Sequence, residues 1–176
     1  MEKKRFDSAV SRYSRRVFTF ASYLLGDPAE AEDITQEVLI KLWRSGGKID
    51  PDRLGAWLLT VTRNACTDVL RRRRRTAEII PIRRETQTPT DHPSQSPSPE
   101  NMAEGSQLGA KILDALNKLS EPGRSVVILR EIQGLSYREI SDVTEINIDT
   151  VRVILHRARR RLRDCLKEVQ PHVVNG

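Results

Sequence analysis

Apolar residues recur along this chain at intervals of three and four, the spacing that lines one face of an α-helix. Phe6, Val10, Tyr13, Val17, Phe20 or Ala21, and Leu24 form a first stripe, which stops at Gly26-Asp27-Pro28. Asp27 and Glu30 have the spacing of a capping pair and Pro28 suits a first helical position, so a second helix starts there. Ile34, Val38, Leu39 and Leu42 mark its inner face, leaving Asp33, Gln36, Glu37 and Lys41 more exposed. After Ser45-Gly46-Gly47, Asp50 and Pro51 open a third helix whose inner stripe is Leu54, Trp57, Leu58, Val61, Ala65 and Val69. Its other face presents Thr60, Arg63, Asn64, Thr67 and Arg71. Trp43 and Trp57 both extend apolar stripes and are read as core residues.

The second half carries the same period. Leu108, Ile112, Leu116 and Leu119 make one helix; Val126, Val127, Leu129 and Ile132 belong to another, ended by Gly134. Ser136 and Glu139 then form a Ser-x-x-Glu capping box, with Leu135 and Ile140 placed as a hydrophobic staple, which predicts a short helix from Tyr137 to about Val143. Asn147 caps the next helix, and Asp149 suits its positive N-terminal end. In that last helix Val151, Ile154, Leu155, Ala158 and Leu162 turn inward. Arg152, Val153, His156, Arg157, Arg159, Arg160 and Arg163 fall largely elsewhere. Two helices joined by a tight turn, the second one basic, form a helix-turn-helix pattern. Arginine suits both phosphate and the O6/N7 edge of guanine, because its planar fork donates two hydrogen bonds. No strand-like alternation of any length interrupts these periods, so the chain is expected to be all-α.

Between the halves, Thr86 to Glu100 reads TQTPTDHPSQSPSPE, with repeated prolines and no large apolar side chain. Such a stretch cannot bury enough surface to fold alone and is expected to be a flexible linker. The expected organisation is two small helical domains at 1–75 and 107–170, an acidic linker at 76–106 and a tail at 171–176. Charge sharpens the division. The whole chain is +6 with a pI near 9.7. Residues 1–75 carry +6 and 107–176 carry +3, while 76–106 carry −3. A basic protein of this kind suits a nucleic-acid partner, although non-specific attraction alone would give the same total.

Catalytic chemistry finds no foothold. Cys66 and Cys165 lie far apart in the sequence, and neither belongs to a Cys-x-x-Cys pair. His92, His156 and His172 are scattered. Metal-ligand spacing is absent, and ordinary reduced thiols are expected. An enzyme acting on nucleic acid would need a carboxylate cluster, a metal site or an activated nucleophile, and the sequence displays none. The expectation is a non-enzymatic protein without cofactor or metal. Nothing has the pattern of a signal peptide or approaches membrane-spanning length, so a soluble, cytoplasmic protein without direct membrane insertion is expected.

Three segments together resemble the extracytoplasmic-function (ECF) group of bacterial sigma factors. AEDITQEVLIKLW (residues 31–43) is similar to the conserved-region-two helix that docks on core RNA polymerase. WLLTVTRNACTDVLRRR (57–73) is similar to the helix that faces the downstream promoter element. The stretch from Leu116 to Arg163 is similar to conserved region four. The resemblance implies that the N-terminal domain binds core polymerase through Asp33, Gln36, Glu37 and Lys41. It also implies that this domain captures an unstacked base of the minus-ten element through Thr60, Arg63, Asn64, Thr67 and Arg71, with Asn64 at the base-contacting position. Thr150, Arg152, Val153, His156, Arg157 and Arg160 would read the minus-thirty-five element as duplex. Core RNA polymerase, promoter DNA and an anti-sigma factor are the implied partners. One departure is notable: Asp149 stands where family members usually have Gly, and brings negative charge near DNA phosphates. A stand-alone helix-turn-helix regulator, binding its operator without polymerase, is the alternative reading.

Overall fold

The computed structural model describes residues 3–79 and 107–167; of the expected linker 76–106 only 76–79 are described, and these are helical rather than linker, while the rest of it and the expected tail 171–176 lie outside the described residues. The described residues form seven α-helices and no strand: α1 (Lys3–Leu25), α2 (Pro28–Arg44), α3 (Leu54–Ile79), α4 (Gln107–Asn117), α5 (Glu121–Val127), α6 (Tyr137–Thr144) and α7 (Ile148–Lys167). Local chemistry sets most of their ends. Gly26, at φ +69°, supplies the left-handed residue that ends α1. Asp27 then caps α2, its carboxylate accepting from the N–H of Ala29 at 2.9 Å and of Glu30 at 3.1 Å. Asp50 caps a 3₁₀ turn, Pro51–Arg53, that leads directly into α3.

Helices α1, α2 and α3 pack as a three-helix unit around Val17, Phe20, Leu24, Ile34, Val38, Leu42, Leu58 and Leu59. The C-terminal unit gathers α4, α5 and α6 against α7 over Val126, Leu129, Ile140, Val143, Val151 and Leu155. At Gly123 a Cβ would make ordinary contact with that of Ala158 on α7, at 3.6 Å, and would press more closely, at 3.2 Å, on the Ser120 hydroxyl that precedes α5.

Several side chains depart from the sequence expectation. Trp43 is 46 % exposed, in a T-shaped contact with Phe6 at 5.1 Å between ring centroids, so it is not a core residue; Trp57 is half-buried. The stripe Val126–Ile132 does not run through one regular helix. After Val127 the chain passes into a π turn, Ile128–Ile132, closed by the Gln133 N–H donating to the Ile128 carbonyl at 3.0 Å. The extra residue in that turn shifts the α-helical phase, and Ile132 emerges 39 % exposed. Ile112 is also exposed, whereas Leu119, just past the end of α4, is buried.

The two units are not held apart. One continuous core cluster runs from Ala9 to Ala158, and α3 packs on α6 while α1 meets α4 and the π turn. Arg124 of α5 is buried at this junction. Its guanidinium donates to the carbonyls of Leu116 at 3.0 Å, Asn117 at 3.0 Å and Leu24 at 2.8 Å, closing the ends of α4 and α1 together. Burial, with the neighbouring charge of Arg74, pulls its pKa below the ordinary arginine value.

Candidate nucleic-acid interface

The helix-turn-helix is built from two caps and one strained residue. Ser136 Oγ accepts from the Glu139 N–H at 3.2 Å, and the Glu139 carboxylate in turn accepts from the Ser136 N–H at 2.7 Å. Those bonds favour the carboxylate form and hold the Glu139 pKa below the usual range. Leu135 and Ile140, the predicted staple, are both buried. At the end of α6, Glu145 takes up the left-handed conformation (φ 58°) that turns the chain; Asn147 then caps α7, its side-chain oxygen accepting from the Asp149 N–H at 2.9 Å.

Burying Val151, Leu155 and Ala158 orients the rest of α7. Thr150, Arg152, Val153, His156, Arg157 and Arg160 are all exposed, forming one outward face. Val153, 48 % exposed, lies near its centre with Asp149, His156 and Arg160, where an apolar group can meet a thymine methyl. Arg152 has two neighbours: it donates to Asp149 at 2.9 Å, and its guanidinium lies 5.8 Å from the Tyr137 ring, which also carries Arg130 at 5.0 Å. Arg159 is engaged elsewhere, donating to Glu131 at 2.9 Å, a bond that raises its pKa.

The α3 face is divided. Asn64 and Arg71 are exposed, Arg71 with Asp68 at 3.5 Å. Thr60 is half-buried, its hydroxyl donating to the Ala56 carbonyl at 3.0 Å, and it lines a cleft with Trp57, Arg53, Arg138 and Asp142. Arg63 and Thr67 instead face the C-terminal unit, both hydrogen-bonded to Glu121. Within the run Arg71–Arg75, Arg73 serves the fold, donating to the Leu25 carbonyl at 3.0 Å and pairing with Glu30.

On α2, Asp33, Gln36, Glu37 and Lys41 are exposed as expected, with Lys41 paired to Glu37 at 2.7 Å. Ile40 was not singled out in the sequence, yet it is 50 % exposed. It stands three and four residues from Glu37 and Gln36, in the middle of that ridge. Its signal in the sequence is an isoleucine out of phase with the inner stripe. Cys66 and Cys165 are free thiols, both buried, and no group of residues able to hold a metal ion occurs among the described residues. Among the described residues, no helix is long and apolar enough to cross a membrane.

Residues 9–76 match the family model of sigma-70 region 2, and residues 109–162 that of sigma-70 region 4. The RNA polymerase sigma factor CarQ of Myxococcus xanthus is 30% identical over 169 residues, an alignment covering 96% of this chain and 92% of CarQ. This chain belongs to the sigma-70 family. Its ECF group is represented by the ECF RNA polymerase sigma factor SigE of Mycolicibacterium smegmatis, 38% identical over 164 residues. This sigma-family chain spans 61% of SigE's length, while 92% of the chain is covered. Among solved structures, the sigma factor RpoE of Bartonella quintana, in complex with the anti-sigma factor NepR, matches with a TM-score of 0.73 and 28% identity. That match covers 93% of this chain and 98% of RpoE. CnrH, in complex with the cytosolic domain of CnrY, shares the fold at a TM-score of 0.69. A region-2 unit beside the helix-turn-helix overturns the stand-alone regulator reading, whose N-terminal block would be a sensor or dimerisation module.

Proposed function

We infer that this chain is an ECF sigma factor that binds core RNA polymerase and directs promoter-specific initiation. The observation that carries the reading is the pairing, in one chain and in family order, of a region-2 unit with a region-4 helix-turn-helix whose α7 face is open and basic. Under this reading α7 enters the major groove of the minus-thirty-five element. Arg152, Arg157 and Arg160 supply base and phosphate contacts there, with Thr150, Val153 and His156 between them. Asn64 offers a donor and an acceptor to an unstacked minus-ten base, while Thr60, Arg63, Thr67 and Arg71 hold the strand around it. Capturing that base offsets an unpairing cost of a few kcal/mol, which nucleates melting without nucleotide hydrolysis.

The α2 ridge of Asp33, Gln36, Glu37 and Lys41, with Ile40 at its middle, is the proposed polymerase contact. Its mixed charge around an apolar centre suits a protein better than DNA. The proposed division is 1–75 for polymerase and minus-ten binding, 76–106 as linker and 107–170 for minus-thirty-five binding. The protein acts in the cytoplasm, without catalytic activity of its own, and an anti-sigma factor is a proposed partner, as NepR is for RpoE. Run-off transcription with purified core polymerase and mapped start sites tests the function. A defined start that appears only when this chain is added supports it; retention of specific DNA without any effect of core would sink it.

A further inference from the structure

The outward face of α7 carries one charge that opposes the rest. From Ile148 to Arg163 the helix has six arginines, and Asp149 is its only carboxylate. On a face proposed to meet a polyanion, that charge works against every phosphate nearby. Capping does not account for it. Asn147 is the cap, its side-chain oxygen accepting from the Asp149 N–H at 2.9 Å. Among the described residues the Asp149 carboxylate has one partner, Arg152, whose Nη1 donates to Oδ1 at 2.9 Å. The two side chains are open to solvent, 84% exposed for Asp149 and 61% for Arg152. Their bond leaves Asp149 Oδ2 and the Nε–Nη2 edge of the guanidinium free to meet a ligand.

We propose that Asp149 determines specificity, its Oδ2 accepting from the N4 amine of a cytosine in the base pair next to the guanine that Arg152 reads. The proposal rests on the assignment of α7 to the major groove of the upstream element. The N-terminal residues of a recognition helix are the ones that reach base edges. Asp149 and Arg152 are three residues apart, about 4.5 Å along the helix axis. That is close to the step of roughly 3.4 Å between successive base pairs. The two side chains can therefore meet neighbouring pairs while bonded to each other. The chemistry selects cytosine. A carboxylate only accepts, and guanine and thymine present acceptors in the major groove. Adenine offers its N6 amine beside the N7 acceptor, which repels the carboxylate, whereas cytosine offers N4 with no acceptor next to it. Arg152 keeps its Nε–Nη2 edge for guanine O6 and N7. Repulsion between Asp149 and phosphate falls on all duplexes alike, and only those with the amine in place offset it. The carboxylate thus trades affinity for discrimination.

The test selects bound duplexes from a pool randomised over the upstream element, using the full-length chain with and without core polymerase, and sequences them. Arg152→Ala marks the guanine pair by the preference it removes. At the pair beside it, the wild type should favour cytosine over thymine roughly tenfold. Asp149→Asn keeps the shape and removes the charge. Its amide offers a donor and an acceptor that match adenine N7 and N6, so the preference should move from cytosine to adenine. Asp149→Gly should bind all duplexes more tightly and lose the preference at that pair without gaining another. A role confined to the helix dipole or to general repulsion would change affinity for every duplex equally and leave the preferences where they were, which overturns the proposal. So does a wild type indifferent to the base beside the guanine, or an Arg152→Ala that removes no preference. Circular dichroism checks that both variants keep their helicity, and should Asp149→Asn lose it, Asp149→Gly decides. Base preference is scored in either arm. Specific retention without any effect of core would therefore strike the sigma function alone, and retention in neither arm would overturn both readings.

Discussion

Asp149 and Arg152 form the most informative pair of single residues. A carboxylate at the first turn of α7 suits the helix dipole but repels phosphate, and here it pairs with Arg152 at 2.9 Å. Arg152→Ala should cost about 1–3 kcal/mol at one base pair of the upstream element and little at the others. Asp149→Gly should act differently, tightening binding to all duplexes while lowering discrimination at that base pair. Competition binding to a partly randomised duplex pool measures both, and an unchanged preference in Asp149→Gly would release Asp149 from any part in selectivity. Cys66 gives a simpler expectation. Burial pushes its thiol up to about 12, with the negative charge of Glu30 adding to the effect. The thiolate is the reactive form, so Cys66 should resist alkylation at mildly alkaline pH in the native chain and react when the chain unfolds; mass spectrometry of the labelled protein reads the difference.

At the scale of elements, α6 depends on its cap. Ser136→Ala should lower stability by about 1 kcal/mol, measured by denaturant unfolding. Glu139 adds a pH dependence of definite sign. Its folded pKa lies below the ordinary 4.5, so its contribution is present above that value and fades as pH falls through 4.5 toward the depressed folded value. The stability gap between wild type and Glu139→Ala should therefore narrow in acid; a gap constant with pH would contradict the capping role. These starts were legible in the sequence because Asp27, Asn147 and the Ser136–Glu139 box act within a few residues. The outward face of α7 was legible for the same reason, its period being local. The features that escaped depend on partners far along the chain. Arg63 meets Glu121 across 58 positions and Arg16 meets Gln133 across 117, and no periodicity encodes either pairing. The π turn escaped because it shifts one hydrogen bond without any Gly or Pro to announce it. Trp43 misled because its placement beside an apolar stripe does not reveal that it stays exposed, in a T-shaped contact with Phe6.

For the whole molecule, a core continuous across both units makes a thermodynamic claim. Calorimetry of the free chain should show one cooperative transition, and Arg16→Ala should broaden or split it as the units uncouple. The proposed polymerase contact belongs to this scale too. Replacing Asp33, Gln36 and Glu37 together by Ala should weaken capture by core polymerase with helicity unchanged, and undiminished pull-down would move the contact elsewhere. Ile40 and Trp43 act at this scale as well, because apolar surface left in water favours any encounter that hides it. Under the proposed polymerase contact, molecules in excess of core keep this apolar surface in water, where self-association competes for it. Ile40→Ser should raise soluble yield and lower the share of protein found in complex, exchanging shelf life for employment.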